Sequence, residues 1–234
     1  MKVGEYELTE YYHQFITIEA DDLTENLKGV IDIHEDDCFV LCSSYCAMDG
    51  FLEFNVLSVG PSWENCTRGL NDPQMLGVFG IDEVIDREAR IPDATIEMRT
   101  KNDPWLKNRD MGIDEDLLAT RSDPRLDLLR DPFYPDIVLV GIISEYSIME
   151  YDMRITGING PFLTGILEDE PEDDIGIHAD DPVWALPYLN NDECRLFALF
   201  AGNELSDAQI AARDRIIQEM DKIGISFNGI SIRS

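Results

Sequence analysis

The sequence predicts an α+β protein with an antiparallel sheet in its C-terminal half, a helix packed at the end, and two α+β subdomains. Three observations lead there. Between Asp136 and Phe200, short apolar or alternating runs follow one another closely, with turn residues between them, as antiparallel strands do. From Ser206 to Gly224 a capped, apolar-striped segment reads as a helix. Between these two halves, residues 104–135 are punctuated by Asp-Pro pairs. That stretch is expected to connect an N-terminal α+β subdomain (1–103) to a β-rich one (136–234).

The elements follow in order. Tyr11 to Ile18 mixes aromatic and β-branched residues and reads as a strand. Asp21 or Asp22 starts a predicted helix with Leu23, Leu27, Val30 and Ile31 on one stripe. Cys38 to Cys46 and Phe51 to Val59 form two strands, and Met48-Asp49-Gly50 supplies a tight hairpin turn between them. Residues 60–80 lack a period and read as loop. Ile81 to Arg90 is a short charged helix, and Ala94 to Arg99 alternates as a strand. Asp123-Pro124-Arg125 opens a helix through Leu126, Leu128 and Leu129. Asp136 to Ile143 is an unbroken apolar run, the pattern of a central strand. Ser147 to Thr156, Phe162 to Leu167, Pro182 to Leu189 and Arg195 to Phe200 complete the run of strands, with a turn at Asn159-Gly160. Ser206 and Gln209 make a capping-box arrangement for the final helix, which Gly224 ends. Ile225 to Ile232 reads as an edge strand.

Composition narrows the function. The 234 residues carry 18 Lys and Arg against 48 Asp and Glu, a formal charge of −30. Hydrophobic residues reach 44%, enough for a folded core rather than a disordered chain. The negative charge argues against nucleic acid and anionic membranes as ligands. No long apolar stretch reads as a membrane span, and Met1-Lys2-Val3-Gly4-Glu5 does not read as a signal peptide. Five unevenly spaced cysteines fit a reducing cytoplasm better than a disulfide framework.

Four features are candidate sites. His34, Cys38, Cys42 and Cys46 recur every four residues, and thiolates with imidazole suit zinc. On a strand, however, positions four apart lie about 13 Å from each other, which favours core packing of the cysteines. The acidic run Glu168, Asp169, Glu170, Glu172, Asp173 and Asp174 lacks the order of a calcium loop. It reads as a solvated turn or as a docking surface for a basic partner. His178 with Asp180 and Asp181 could act as a base or metal ligand. Nine basic residues cluster between Arg87 and Arg130 and make that stretch near neutral. The sequence carries no phosphate loop, dinucleotide fingerprint, nucleophile elbow or zincin motif, so no cofactor is expected.

The segment Asp136 to Val183 resembles small uncharacterised bacterial cytoplasmic domains. The likeness rests on Gly165 to Pro171, then Gly176-Ile177-His178-Ala179-Asp180, then the apolar strand at Val183. The resemblance implies a small β-rich domain, in some cases an immunity or accessory protein of a toxin locus. The charge of −30 and the absence of catalytic motifs lead to the expected function, a non-catalytic acidic binding protein for a basic protein partner, immunity-like or regulatory. The predicted docking residues are Glu168, Asp169, Glu170, Glu172, Asp173, Asp174, Asp180 and Asp181. The alternatives are a metal-dependent enzyme using carboxylates and His178, and a mimic of nucleic-acid charge.

Overall fold

A computed structural model describes residues 1–70, 76–93, 112–143, 148–172, 177–190 and 193–201, with isolated positions between 207 and 218. The chain divides into two compact units. The first is Met1–Ile113 with Pro132–Pro135, and the second is Asp114–Asp131 with Asp136–Ser234. Residues 114–131 thus belong to the second unit, where a connection was expected from 104 to 135.

The first unit is built on an antiparallel sheet of β1 (Phe15–Glu19), β2 (Phe39–Cys46), β3 (Leu52–Gly60), β4 (Gly77–Gly80) and β5 (Ala89–Arg90). Their spatial order is β4-β3-β2-β1-β5. The β2–β3 hairpin forms as the sequence predicts, but with a longer turn. Gly50 N donates to Ala47 O, Ala47 N donates to Phe51 O, and Gly50 has φ 85°. A three-residue loop with glycine in the left-handed position is therefore used instead of a two-residue turn. Further along, Leu41 pairs with Ser58 while Cys42 pairs with Val56. Leu57 is the extra residue of a β-bulge, which flips the strand's parity. Leu52, Phe54, Val56 and, beyond the bulge, Val59 consequently all reach one core. Leu41 packs on the opposite face with Phe15 and Cys66.

Short helices cover the main core, including α1 (Leu8–Tyr11) and α2 (Ile81–Val84). Three expectations are corrected here. The predicted helix at residues 21–31 is a 3₁₀ turn, Leu23–Leu27. Gly29 at φ 98° turns the chain away, and Val30 is left exposed instead of extending a buried stripe. The strand expected from Tyr11 begins at Phe15, because Tyr11 closes α1. The helix expected from Ile81 stops at Val84, and Ala89 joins the sheet beside Ile18.

In the second unit, β6 (Ile137–Ile143), β7 (Ile148–Asn159), β8 (Phe162–Leu167), β9 (Pro182–Asn190) and β10 (Glu193–Ala201) close into a barrel. Neighbours in sequence pair antiparallel, and β10 closes on β6 in parallel. An up-and-down run with an odd number of strands must close this way, since its first and last strands point in the same direction. Val138, Val140, Met153, Ile155, Leu163, Leu167, Val183 and Leu196 fill the interior. The β6 run is central in its pairing, between β7 and β10, and forms a wall of the barrel with one face inward. α3 (Glu115–Arg121), capped by Asp114, and a 3₁₀ turn at Pro124–Leu129, capped by Asp123, pack on the barrel. Leu126 is fully buried in its core.

Arg121 ends α3 and reaches the residue before β6. Its Nε donates to Asp136 Oδ1 at 2.9 Å and a terminal nitrogen to Oδ2 at 2.6 Å. The strand expected at Ala94–Arg99, the cap and stripe of the final helix, and the edge strand at Ile225–Ile232 lie outside the described residues. Asp207, Ile210, Ala211, Asp214, Arg215 and Gln218 have helical backbone.

Candidate functional site

The acidic run and His178 occupy the two limbs of one connection, residues 168–181, between β8 and β9. The limbs are tied at the base, where Leu167 N donates to Asp181 O and Asp180 N donates to Leu167 O. A turn follows from His178 to Asp181. His178 N donates to Asp181 Oδ2 at 3.0 Å, and Asp181 N donates to His178 O at 3.1 Å. Asp180 carries the turn at φ 66°, a left-handed conformation that aspartate adopts more readily than most residues. Glu170 spans the connection. Its Oε1 lies 2.7 Å from His178 Nδ1, and its Oε2 accepts from Ala179 N at 2.9 Å. The hydrogen bond from His178, then that from Ala179, hold the Glu170 carboxyl below the usual carboxylate range. Glu168 pairs with Arg154 on β7.

These bonds sort the predicted docking residues. Asp181 is buried and serves the turn, and Glu168 and Glu170 have internal partners. Asp169, Glu172 and Asp180 are exposed. Asp173 and Asp174 lie outside the described residues. Sequence reasoning missed the neighbouring Asp152 on β7. Burial first, and then the charges of Asp169, Asp131 and Glu168, push its carboxyl above the ordinary value. Burial is the larger cause, and the three neighbouring carboxylates add to it.

Most of the described arginines have partners within the chain. Arg68, Arg87, Arg121, Arg125, Arg130, Arg154 and Arg195 each sit against a carboxylate of the chain. Arg90 lies over the Trp63 ring, 4.6 Å from its centroid. The basic stretch from Arg87 to Arg130 thus spends its described arginines on internal partners.

The cysteine series does not form a ligand set. Cys42 and Cys46 are buried in the first unit's core, and Cys38 sits at the strand's entry, half-buried. Burial raises the Cys42 thiol well above its ordinary value and pushes Cys66 up to about 12. His34 instead joins an ion-pair cluster. Asp37 accepts from His34 N at 2.8 Å and from Arg68 through two bonds, at 3.0 and 3.1 Å. Arg68 also lies 2.8 Å from His34 Nε2. A guanidinium only donates, so Nε2 accepts and the ring proton sits on Nδ1. Among the described residues, no group of three or more His, Cys, Asp or Glu side chains is arranged to hold a metal ion. Among them, too, no helix is long and apolar enough to cross a membrane.

Comparison with protein-family models, with curated proteins and with solved structures gives no match.

Proposed function

We propose that this chain is a non-catalytic acidic binding protein whose partner is a basic protein. One observation carries the reading most directly. Eight described arginines from Arg68 to Arg195 are committed to internal carboxylates or to an aromatic ring, so the excess acids set the outward field. Such a field speeds encounter with an oppositely charged partner and rejects partners of like charge. The connection presents Asp169, Glu172 and Asp180 to solvent, with Asp180 held by the hydrogen bonds between Leu167 and the turn from His178 to Asp181, which lowers the ordering cost of binding there. An immunity-like or regulatory role in the cytoplasm is the form this reading takes, as the resemblance over 136–183 implies.

The test is combined neutralisation, Asp169→Asn with Glu172→Gln and Asp180→Asn. Association with the basic partner should slow and its salt dependence should flatten. A control that removes three exposed acids of the first unit, Asp21→Asn, Glu35→Gln and Asp36→Asn, should change both less. Equal binding by wild type and loop variant would contradict the proposal.

A further inference from the structure

The outer wall of the barrel where β6, β7 and β10 meet is both apolar and flanked by acids. Val138, Val140 and Leu196 point inward, so Leu139 and Gly141 of β6 and Phe197 of β10 point out, while Leu199 is the extra residue of a bulge between Ala198 and Phe200. Leu139 is 48% exposed, Ile148 55% and Leu199 41%. They are joined by Phe197, which pairs with Gly141 across the parallel seam. A Cβ at Gly141 would stand 3.0 Å from the Phe197 ring and 3.1 Å from Ile148 Cγ2. The missing side chain lets these two groups meet over the strand as one surface. Asp152 is the direct cross-strand partner of Leu139, and Glu150 is that of Gly141. One edge of the apolar surface therefore carries Asp152 and Glu150, and Glu150 pairs with Arg195 of β10 at 3.8 Å.

We propose that this face of the barrel, centred on Leu139, Phe197 and Leu199 and edged by Asp152, docks a segment of the basic partner in which apolar side chains lie between lysines or arginines. The inference rests on the acidic-binding reading above and names its surface. Charge complementarity selects the occupant. A second copy of this chain would bring another −30 charge to an acidic edge, and an anionic lipid surface meets the same repulsion. A basic segment gains on both counts: its cations face Asp152 and the neighbouring Asp169, and its apolar groups cover leucines left in water. Asp152 fits this role. Its carboxylate sits where burial and neighbouring charges oppose ionisation, a cost that a docking cation relieves.

The experiment titrates the full chain calorimetrically with two synthetic peptides of equal length, one alternating lysine with leucine and one alternating lysine with serine. The lysine–serine peptide should bind only at low salt, and the lysine–leucine peptide should retain binding at high salt. Leu139→Ser combined with Leu199→Ser should weaken the lysine–leucine peptide about tenfold, since two half-exposed leucines lose their burial. It should leave the lysine–serine peptide unchanged. Val30→Ser, an equally exposed apolar site of the first unit, should change neither. Should the double variant fail to keep the wild-type thermal transition, Asp152→Asn tests the face alone, with both peptides expected to bind more weakly. Undiminished lysine–leucine binding by the folded variant overturns the surface while the acidic reading stands. Failure of wild type to bind either peptide at low salt overturns both.

Discussion

The pair Arg121–Asp136 joins α3 to the start of β6, and removing one partner should expose its role. The side chains are 3% and 7% exposed, and the guanidinium engages both carboxylate oxygens. Asp136→Asn leaves a buried guanidinium facing a neutral amide. Breaking such a pair costs about 3–5 kcal/mol, because the remaining charge is uncompensated. For a unit of this size, each kcal/mol moves Tm by roughly 3–6 °C. A fall of about 10–20 °C is therefore expected in thermal unfolding followed by circular dichroism. The double variant Arg121→Met with Asp136→Leu removes both charges and fills the site with apolar volume. It should recover most of the loss, since buried pairs exchanged for apolar groups are often neutral or better. The reasoning fails if Asp136→Asn shifts Tm by under about 2 °C, a surface-like effect. It also fails if the double variant is worse than the single one.

Other measurements bear on the charge arrangement. Asp22 is held at about 2, chiefly by its hydrogen bond from Arg87. Its folded value lies below its unfolded one, so its contribution is complete above about pH 4. That contribution fades as pH falls toward 2. Arg87→Ala should return Asp22 toward its ordinary value in a carboxyl-resolved NMR titration, and an unmoved midpoint would refute the assignment. Asp152 has the opposite sign: its raised folded value means that ionisation destabilises the fold. Asp152→Asn should raise Tm at pH 7 and lose that advantage at pH 3; a lowered Tm at pH 7 would contradict this. Thiol labelling of the native protein at pH 8 should modify Cys38 and spare Cys42 and Cys66, whose thiols are buried and raised. Rapid labelling of Cys42, followed by mass spectrometry, would contradict its place in the core.

Local pattern fixed the hairpins well. Phe162–Leu167 is a strand over the range its apolar run marks, and Asp49-Gly50 does mark a turn. What the pattern missed depends on tertiary pairing. The apolar run Asp136–Ile143 reads as a central strand, and it is paired on both sides, but composition does not show that the sheet closes into a barrel with one face of this strand outward. Closure through β10 leaves Leu139 facing water. The Leu57 bulge is equally invisible to a strict two-residue period. In the acidic connection the residue types were legible, but their division of labour was not. Asp180 and Asp181 are adjacent, yet one is exposed and the other buried in the turn. Asp152 escaped notice because its neighbours Asp131 and Asp169 are remote in sequence. The one signal that could have marked it is an acid alternating with apolar residues on a strand that follows an apolar run.

The central claim, an acidic surface that holds a basic protein, is tested most directly by capture from native lysate. Wild type, the Asp169/Glu172/Asp180 neutralised variant and the first-unit control would be compared at low and high salt, with bound proteins identified by mass spectrometry. The account predicts a basic protein held by wild type and control at low salt, released at high salt, and lost from the neutralised variant. A wild-type bait that captures no basic protein at low salt would contradict it, as would capture that the neutralised variant retains in full.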